Sequence, residues 1–425
     1  MHRTPLTGQT KRPDPAFSQG ERRKMPNACC ASGGTLNLND TFNALRCSWR
    51  SSSRHWKEPD TMRRRTVLIG AGVLGLAGAA ATYAVVAQMG SMDEYNASIA
   101  ATRSALEARP VMRDFIRYAT LAPNGHNTQP WRFQVSDGQI SIRPDLARRT
   151  PVVDPDDHHI FVSLGAAAEN LALACAARGR PGRESFSAAG DGAIAFSFGE
   201  ARAPEPSLFE AIVQRQSTRA DYDGRAVAPA DLHVLAKAAA TPGVDLVLIT
   251  DRQQMDRVRD LVVAGNSAQL ADPAFVRELK SWIRFSPRDA IVTGDGLFAA
   301  ASGNPALPDW LGSQMFDVVF KADSENDKYA RQIRSSAGLA VFISERDDKE
   351  HWVRAGHACQ RFALQATALG LKVAFVNQPV EVARLRPELA SLVGSPGRRP
   401  DIVMRFGYAA ALPFSARRQL DAVLA

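Results

Sequence analysis

From residue 91 onward the chain switches between two periods of apolar spacing. Apolar residues in 111–121 recur every three to four positions, with Phe115, Ile116 and Ala119 on one side, which predicts a helix. Pro123, Asn124 and Gly125 end it. Residues 131–135 alternate with period two, and Asp137-Gly138 turns them into 140–142, a predicted hairpin. Residues 164–177 read as a strongly apolar helix closed by Gly179, and 193–198 as a strand. A second series follows. It has helices at 231–240, 252–270, 273–283, 351–368 and 380–392, and strands at 244–249, 339–343, 373–376 and 402–406. Within this second series, residues 285–313 are rich in Gly, Pro and Ser and read as one long loop. Such a loop in a folded domain is more often a lid or binding segment than a connector.

The chain also repeats itself. Residues 164–173 and 355–364 are two small-residue helices with glycines matched at both ends, and the offset is a constant 191. Two such helices could pack closely at the centre of a molecule made of two similar halves. The fold class expected is therefore α+β, as two fused halves that each carry a β-sheet flanked by helices. The expected boundaries are 91–204 for the first half and 205–425 for the second, with the 285–313 segment inside it.

Charge changes the picture only at the N-terminus. Residues 1–65 hold 13 of the 52 Lys and Arg and 5 of the 44 Asp and Glu, which leaves 39 of each sign in the rest. The high pI thus belongs to the leader, and a body of zero net charge gives no reason to expect a nucleic-acid partner. Residues 1–61 read as a disordered basic leader. Residues 62–90 begin with Met62, Arg63, Arg64 and Arg65, followed by an apolar run diluted by glycine. Paired arginines before such a run resemble a twin-arginine export signal, with the Tat export machinery as partner. A single membrane anchor fits the same residues. Either reading places the body outside the cytoplasm, periplasmic or anchored in the inner membrane. Only Cys175 and Cys359 fall in the body, both in apolar helical patterns, so they read as buried hydrophobes and not as a disulfide framework.

Three segments carry candidate chemistry. Pro123, Asn124, Gly125 and Asn127 form a rigid helix-to-strand junction that could offer hydrogen bonds to a flat polar heterocycle. Arg215, Ser217 and Arg219 would face one way in an extended stretch, and two guanidiniums with a hydroxyl suit a phosphate monoester. Arg417 and Arg418 add two cations near the C-terminus. A metal reading of 154–159 is rejected, since adjacent histidines on a helix should point apart and acidic residues before a helix serve its dipole. His126 and His357 read as structural or pocket-lining.

Taken together, these segments resemble the nitroreductase family of FMN-binding flavoproteins over roughly residues 100–425. Arg215-Gln216-Ser217-Thr218-Arg219 resembles its phosphate-holding opening element, and 122–131 its Asn-x-Gln-Pro-Trp loop, with Asn124 where serine is usual. Leu369-Gly370-Leu371 and the next strand resemble the segment that brings backbone to flavin N5, near Asn377 and Gln378 here. Residues 401–408 and 413–418 resemble the terminal strand and basic arm. The first half has the loop but not the phosphate element, and the second has the reverse. The resemblance therefore implies a fused pseudo-dimer of the Acg type, a monomer with one surviving FMN site. It implies hydride transfer through flavin to electron-poor aromatics such as nitro compounds or quinones, with no catalytic triad. Two other readings stand beside it: a flavin-sequestering protein with little turnover, and a membrane-tethered degenerate fold acting as an interaction protein.

Overall fold

The chain is described from residue 88 to 199 and from 203 to 425 in a computed structural model, all within one unit spanning 72–425. The expected leader, and all but the last residues of the expected signal or anchor, lie outside the described residues. The first helix, α1 (Met92–Thr102), starts at a reciprocal cap: the Ser91 hydroxyl accepts from the Glu94 amide and the Glu94 carboxylate accepts from the Ser91 amide. Then come α2 (Met112–Thr120), β1 (Trp131–Ser136), β2 (Gln139–Pro144), α3 (His158–Ala177), β3 (Gly182–Ser187), β4 (Ala193–Phe198) and α4 (Pro206–Ala211). The second half opens with α5 (Pro229–Ala239), β5 (Val244–Ile249), α6 (Arg252–Leu270) and α7 (Pro273–Ser281). It continues with β6 (Ile283–Arg284), α8 (Pro287–Thr293), β7 (Leu297–Phe298), α9 (Asp309–Val319) and α10 (Ala322–Arg334). It closes with β8 (Gly338–Ser344), α11 (Lys349–Ala368), β9 (Lys372–Phe375), α12 (Gln378–Glu381), α13 (Arg386–Leu392) and β10 (Pro400–Gly407).

Two four-stranded sheets carry the two halves, and they have one topology. The first runs β1-β2-β4-β3 and the second β5-β8-β10-β9, with every neighbouring pair antiparallel. Reading β5, β8, β9 and β10 as the counterparts of β1, β2, β3 and β4 makes the orders identical. The helix between the second and third strands is α3 in one half and α11 in the other. Both have 20 residues, and their bounds differ by the same 191 as the sequence repeat. The first half links its first two strands by a two-residue turn at Asp137-Gly138. The second inserts residues 250–337 at that place.

The two central helices cross in close contact, where small residues let the backbones approach. A β-carbon at Gly165 would overlap the Val353 carbonyl oxygen, and one at Gly356 would overlap that of Val162. These are the same contact seen from each half, since Val162 and Val353 are also 191 apart. The largest core surrounds this crossing, with Phe133, Ile142 and Phe196 from the first sheet and Phe342, Met404 and Phe406 from the second. Beyond the second sheet, α6 and α10 cover its other face against Leu339, Val341 and Val403. This is why β8 is apolar at nearly every position, whereas β1 and β2 alternate: their outer face meets solvent.

Several expected elements are redrawn. The segment 285–313 is largely regular, with α8, β7 and the start of α9. It has its own small core, in which Tyr95 of α1 meets Phe298 at 4.5 Å between ring centres. The expected helix 380–392 is two helices, because the chain turns at 383–385 and restarts with Pro387 in its first turn. The helix 273–283 ends at Ser281, and Ile283 pairs as strand with Leu297. Strand β3 and helix α10 were not expected at all. Cys175 and Cys359 are free and buried, with thiols raised to about 12 by burial.

Candidate functional site

A cavity of about 460 Å³ lies between the halves' elements, with walls from both. Pro123, Asn124, Gly125 and His126 come from the first half, Arg219, Asn377, Gln378 and Glu381 from the second. His159 and Ala166 on α3 and Cys359 on α11 form its floor. The inserted segment supplies the apolar side with Phe285, Leu297, Leu307, Phe316 and Val319. One wall is therefore polar and the opposite one aromatic and aliphatic, which suits a flat heterocycle with an apolar second ligand.

The loop before β1 is held by strain and by long-range brackets. His126, Asn127 and Gln129 all sit at positive φ, near 50°, unusual for residues with side chains. The Asn124 side-chain oxygen accepts from the Gln129 amide at 2.8 Å. The Asn127 amide group donates to the Gly296 and Ala416 carbonyls at 3.0 and 3.1 Å, and its oxygen accepts from Arg417 at 3.0 Å. Gln129 donates to the Gly294 carbonyl and accepts from the Arg418 amide. Asn127 was expected to face a ligand. Instead its side chain is fully used in tying this loop to the inserted segment and the C-terminal arm, and it is absent from the cavity wall.

Arg215, Ser217 and Arg219 were expected to converge, and they do not. The segment is not a regular strand: Ser217 alone makes a strand-like bridge, to Val373. Arg405, fully buried in β10, donates to the Thr218 and Ala220 carbonyls, on either side of Arg219, at 3.1 and 2.8 Å. Arg219 lines the cavity, and its guanidinium has no hydrogen-bond or ion-pair partner among the described residues. Arg215 turns the other way, 2% exposed, toward the C-terminal carbonyls of α2. It gives one bond to the Leu121 carbonyl at 2.8 Å, and its Nε and Nη1 are buried without a partner.

Two further arginines join Arg215. Arg417 donates to the carbonyls of Thr120, Leu121 and Ala122, and Arg103 to those of Val213 and Arg215. None of the three has a carboxylate partner among the described residues. Burial lowers all three, and neighbouring guanidiniums lower Arg215 and Arg103 further: Arg215 falls to about 9, Arg417 to about 10 and Arg103 well down. Three guanidiniums gathered without an acid have the chemistry that suits an anion, although none of the three is among the residues that line the cavity. Sequence reading did not find Arg103, which lies 112 residues before Arg215. Arg418 lies elsewhere, with its guanidinium 3.6 Å from Asp145 and bonded to the Gln129 carbonyl.

A file of titratable groups reaches the cavity from behind. His158 and His159 at the start of α3 have their Nδ1 atoms 3.2 Å apart. The expectation that adjacent helical histidines diverge fails here, because both lie in the first turn after Asp157, itself left-handed. His158 Nε2 faces Asp401 at 2.9 Å, and His159 Nε2 faces Glu381 at 3.4 Å. Burial lowers His158, while Glu381 and Asp154 outweigh burial and raise His159. Asp154 lies close to both rings, with its carboxylate taken by the amides of His159 and Ile160 as a helix cap. Burial pushes His126, beside Glu381 and Arg219, down to about 4, so it is neutral near pH 7.

Across the pseudo-two-fold lies the counterpart of this cavity. It is a hollow of about 330 Å³ lined by Pro242, Glu184 and His357. His357 is 191 residues from Ala166, and Glu184 is 191 from Phe375, which both line the larger cavity. Here charged side chains fill the space: His357 meets Glu169 at 3.2 Å and Glu184 at 3.0 Å, and Arg361 meets Glu169 at 2.8 Å.

The model of the nitroreductase family matches residues 212–408. The "Putative NAD(P)H nitroreductase Rv3131" of Mycobacterium tuberculosis (strain ATCC 25618 / H37Rv) is 28% identical over 326 residues, 74% of this chain and 90% of that protein. The "Putative NAD(P)H nitroreductase acg" of the same strain is 23% identical over 329 residues, 74% of this chain and 95% of that one. Among solved structures, a nitroreductase with bound FMN from Desulfitobacterium hafniense DCB-2 covers 51% of this chain and 96% of its own, at 16% identity and a TM-score of 0.32.

Proposed function

Since residues 212–408 place this chain in the nitroreductase family, with Acg-type relatives along three quarters of its length, we propose that it is an FMN-dependent oxidoreductase acting on electron-poor aromatics such as nitro compounds or quinones. The observation that carries the reading is the orphaned pair of nitrogens on Arg215, among three buried guanidiniums with no acid. Such a group has the chemistry of a phosphate monoester site. Arg215, Arg417 and Arg103 would hold the flavin phosphate. The free guanidinium of Arg219 would offset negative charge on a reduced flavin ring. Bound FMN would supply the hydride chemistry. The chain's own part is positioning: Asn124 fixes the loop edge, Gln378 and Asn377 stand at the end of β9, and Phe285 and Phe316 keep water from the apolar side.

The test is a visible spectrum of the purified protein, followed by denaturation to release the chromophore. About one FMN per chain is expected, and Arg215→Met should lose it. A protein that stays colourless with excess FMN overturns the reading and leaves a degenerate fold. A second reading, flavin sequestration with little turnover, draws on the inserted segment, which walls the cavity's apolar side and is pinned to the first half through the ion pair of Asp295 with Arg148. Full FMN loading without reduction of quinones or nitroaromatics, by NAD(P)H or artificial donors, would favour it.

A further inference from the structure

Helix α9 of the inserted segment presents an apolar arc to solvent. Trp310, Met315, Val318 and Val319 are 58, 42, 67 and 55% exposed, and at 100° per residue they span half the helix circumference, with the half-buried Leu311 and one exposed polar residue, Gln314, among them. The opposite side, Gly312 and Phe316, is buried. Exposed aliphatic and indole surface of this extent marks an interaction site. Its position is specific: Met315 and Val319 are at once exposed and part of the cavity wall. The arc therefore borders the cavity's mouth.

The chain itself indicates what covers the arc. No charged residue occurs from Thr66 to Met92, a run of 27, and Arg63, Arg64 and Arg65 precede it. About 20 apolar residues span a bilayer, and arginines flank such runs. The end of this run is fixed on the inserted segment. Gly90, at φ +73°, packs on Arg288 of α8, and α1 behind it packs on Ala290 and Phe298. The first residues of α8 in turn meet those of α9, where the Ser286 amide donates to Asp309 at 3.1 Å and Gly312 lies on Phe285. A bilayer that holds the run is thus brought to the side of the protein where α9 lies.

We infer that α9 docks on the bilayer surface, with Trp310 and Val318 in the acyl-chain boundary, and that the cavity opens there to a lipid-soluble quinone. The docking stands on the arc and the run alone; the quinone rests on the proposed function. In that reaction the quinone takes a hydride, from flavin reduced by a nicotinamide-type donor, and one proton, and leaves as the quinol. Trp310 has an indole suited to the interface. A long-tailed quinone would enter head first without crossing water.

The test uses the full chain in vesicles of phosphatidylcholine and phosphatidylglycerol whose acyl chains carry bromine. The expected result is quenching of part of the tryptophan emission, with that part absent in Trp310→Phe. Equal fractional quenching of both proteins overturns the docking. So does self-association in vesicle-free solution that Trp310→Phe abolishes, since a second copy would then cover the arc. Neither measurement needs flavin. The substrate is tested with Trp310→Gln/Val318→Gln, which should lower kcat/KM at least tenfold for a benzoquinone with a long isoprenoid tail in vesicles. The tail-less benzoquinone should change less than twofold. Equal loss on both, or no loss on either, overturns the lipid-quinone route. Trp310-dependent quenching in a protein that reduces no quinone keeps the docking and overturns the quinone route, while a protein that reduces neither quinones nor nitroaromatics overturns the proposed function. Should the double variant misfold, Trp310→Phe decides the docking alone.

Discussion

Gly165 and Gly356 are the same residue of two repeats, and each fills its place against the other's helix. A β-carbon on either would meet backbone, which cannot swing aside as a side chain can. Gly165→Ala or Gly356→Ala should therefore force α3 and α11 apart. Overpacking of this kind costs about 1–3 kcal/mol, and the rigid neighbour here puts the expectation at the upper end. Urea unfolding curves would measure it. Because the cavity draws its walls from both helices, FMN loading should fall in step.

Arg215 is a buried cation with two donors that no protein group accepts. Its folded pKa, about 9, is below its ordinary value, so the unfolded chain binds more protons between those limits. Stability therefore rises with pH across that window, and at neutral pH the cation is a liability that an anion relieves. Inorganic phosphate should raise the Tm of flavin-free wild type. Arg215→Met should be at least as stable without ligand, should lose the phosphate response, and should bind FMN about 10–100-fold more weakly, the worth of one or two charged hydrogen bonds.

His357 gives the opposite slope. Burial would lower it, but Glu184 and Glu169 outweigh burial and raise it to about 10. The folded state then holds its proton more tightly. The stabilisation is complete below pH 6.5 and is lost as pH rises through about 10. A plot of Tm against pH should fall over that range in wild type and flatten in His357→Gln. That variant should leave FMN stoichiometry at about one, since removing one member of the network still leaves Glu169, Glu184 and Arg361 in the hollow.

The facing Nδ1 atoms of His158 and His159 leave room for one proton between them, because each Nε2 already faces a carboxylate. Nitrogen-15 spectra of the histidine rings should show His159 keeping its second proton to higher pH than His158. With His159 at the cavity, His159→Gln should keep FMN loading within about twofold. It should lower turnover about tenfold or more and remove the alkaline limb of the rate profile. Unchanged turnover would assign proton delivery to water.

The legible parts of this fold were those whose pattern is local. The hairpin at Asp137-Gly138 and the repeat of α3 in α11 stand in the sequence as turn chemistry and as matched small residues. Strand β3 did not, because its residues Arg183, Glu184, Ser185 and Ser187 sit on an edge where one face is solvated, and polar alternation there looks like loop. Helix α10 was missed for a similar reason: only Gln332 and Ile333 are fully buried, and charge masks its stripe. At the site, Pro123, Asn124, Gly125, Arg219, Asn377 and Gln378 come together as the cavity wall. Arg103 and Arg405 had no local signature, since their roles arise from tertiary placement against carbonyls far along the chain. Asn127 had the right chemistry and a different employer: its donors and acceptor bind protein.

Fusing two halves changes what dilution can do to the cavity. Where two separate subunits supply the walls of a site, the fraction of complete sites falls with concentration. Here the crossing at Gly165 and Gly356 lies within one chain, so its partners meet at a fixed effective concentration set by their covalent connection and not by protein abundance. Cofactor affinity should then be the same at nanomolar and micromolar protein, and a scarce enzyme would remain whole.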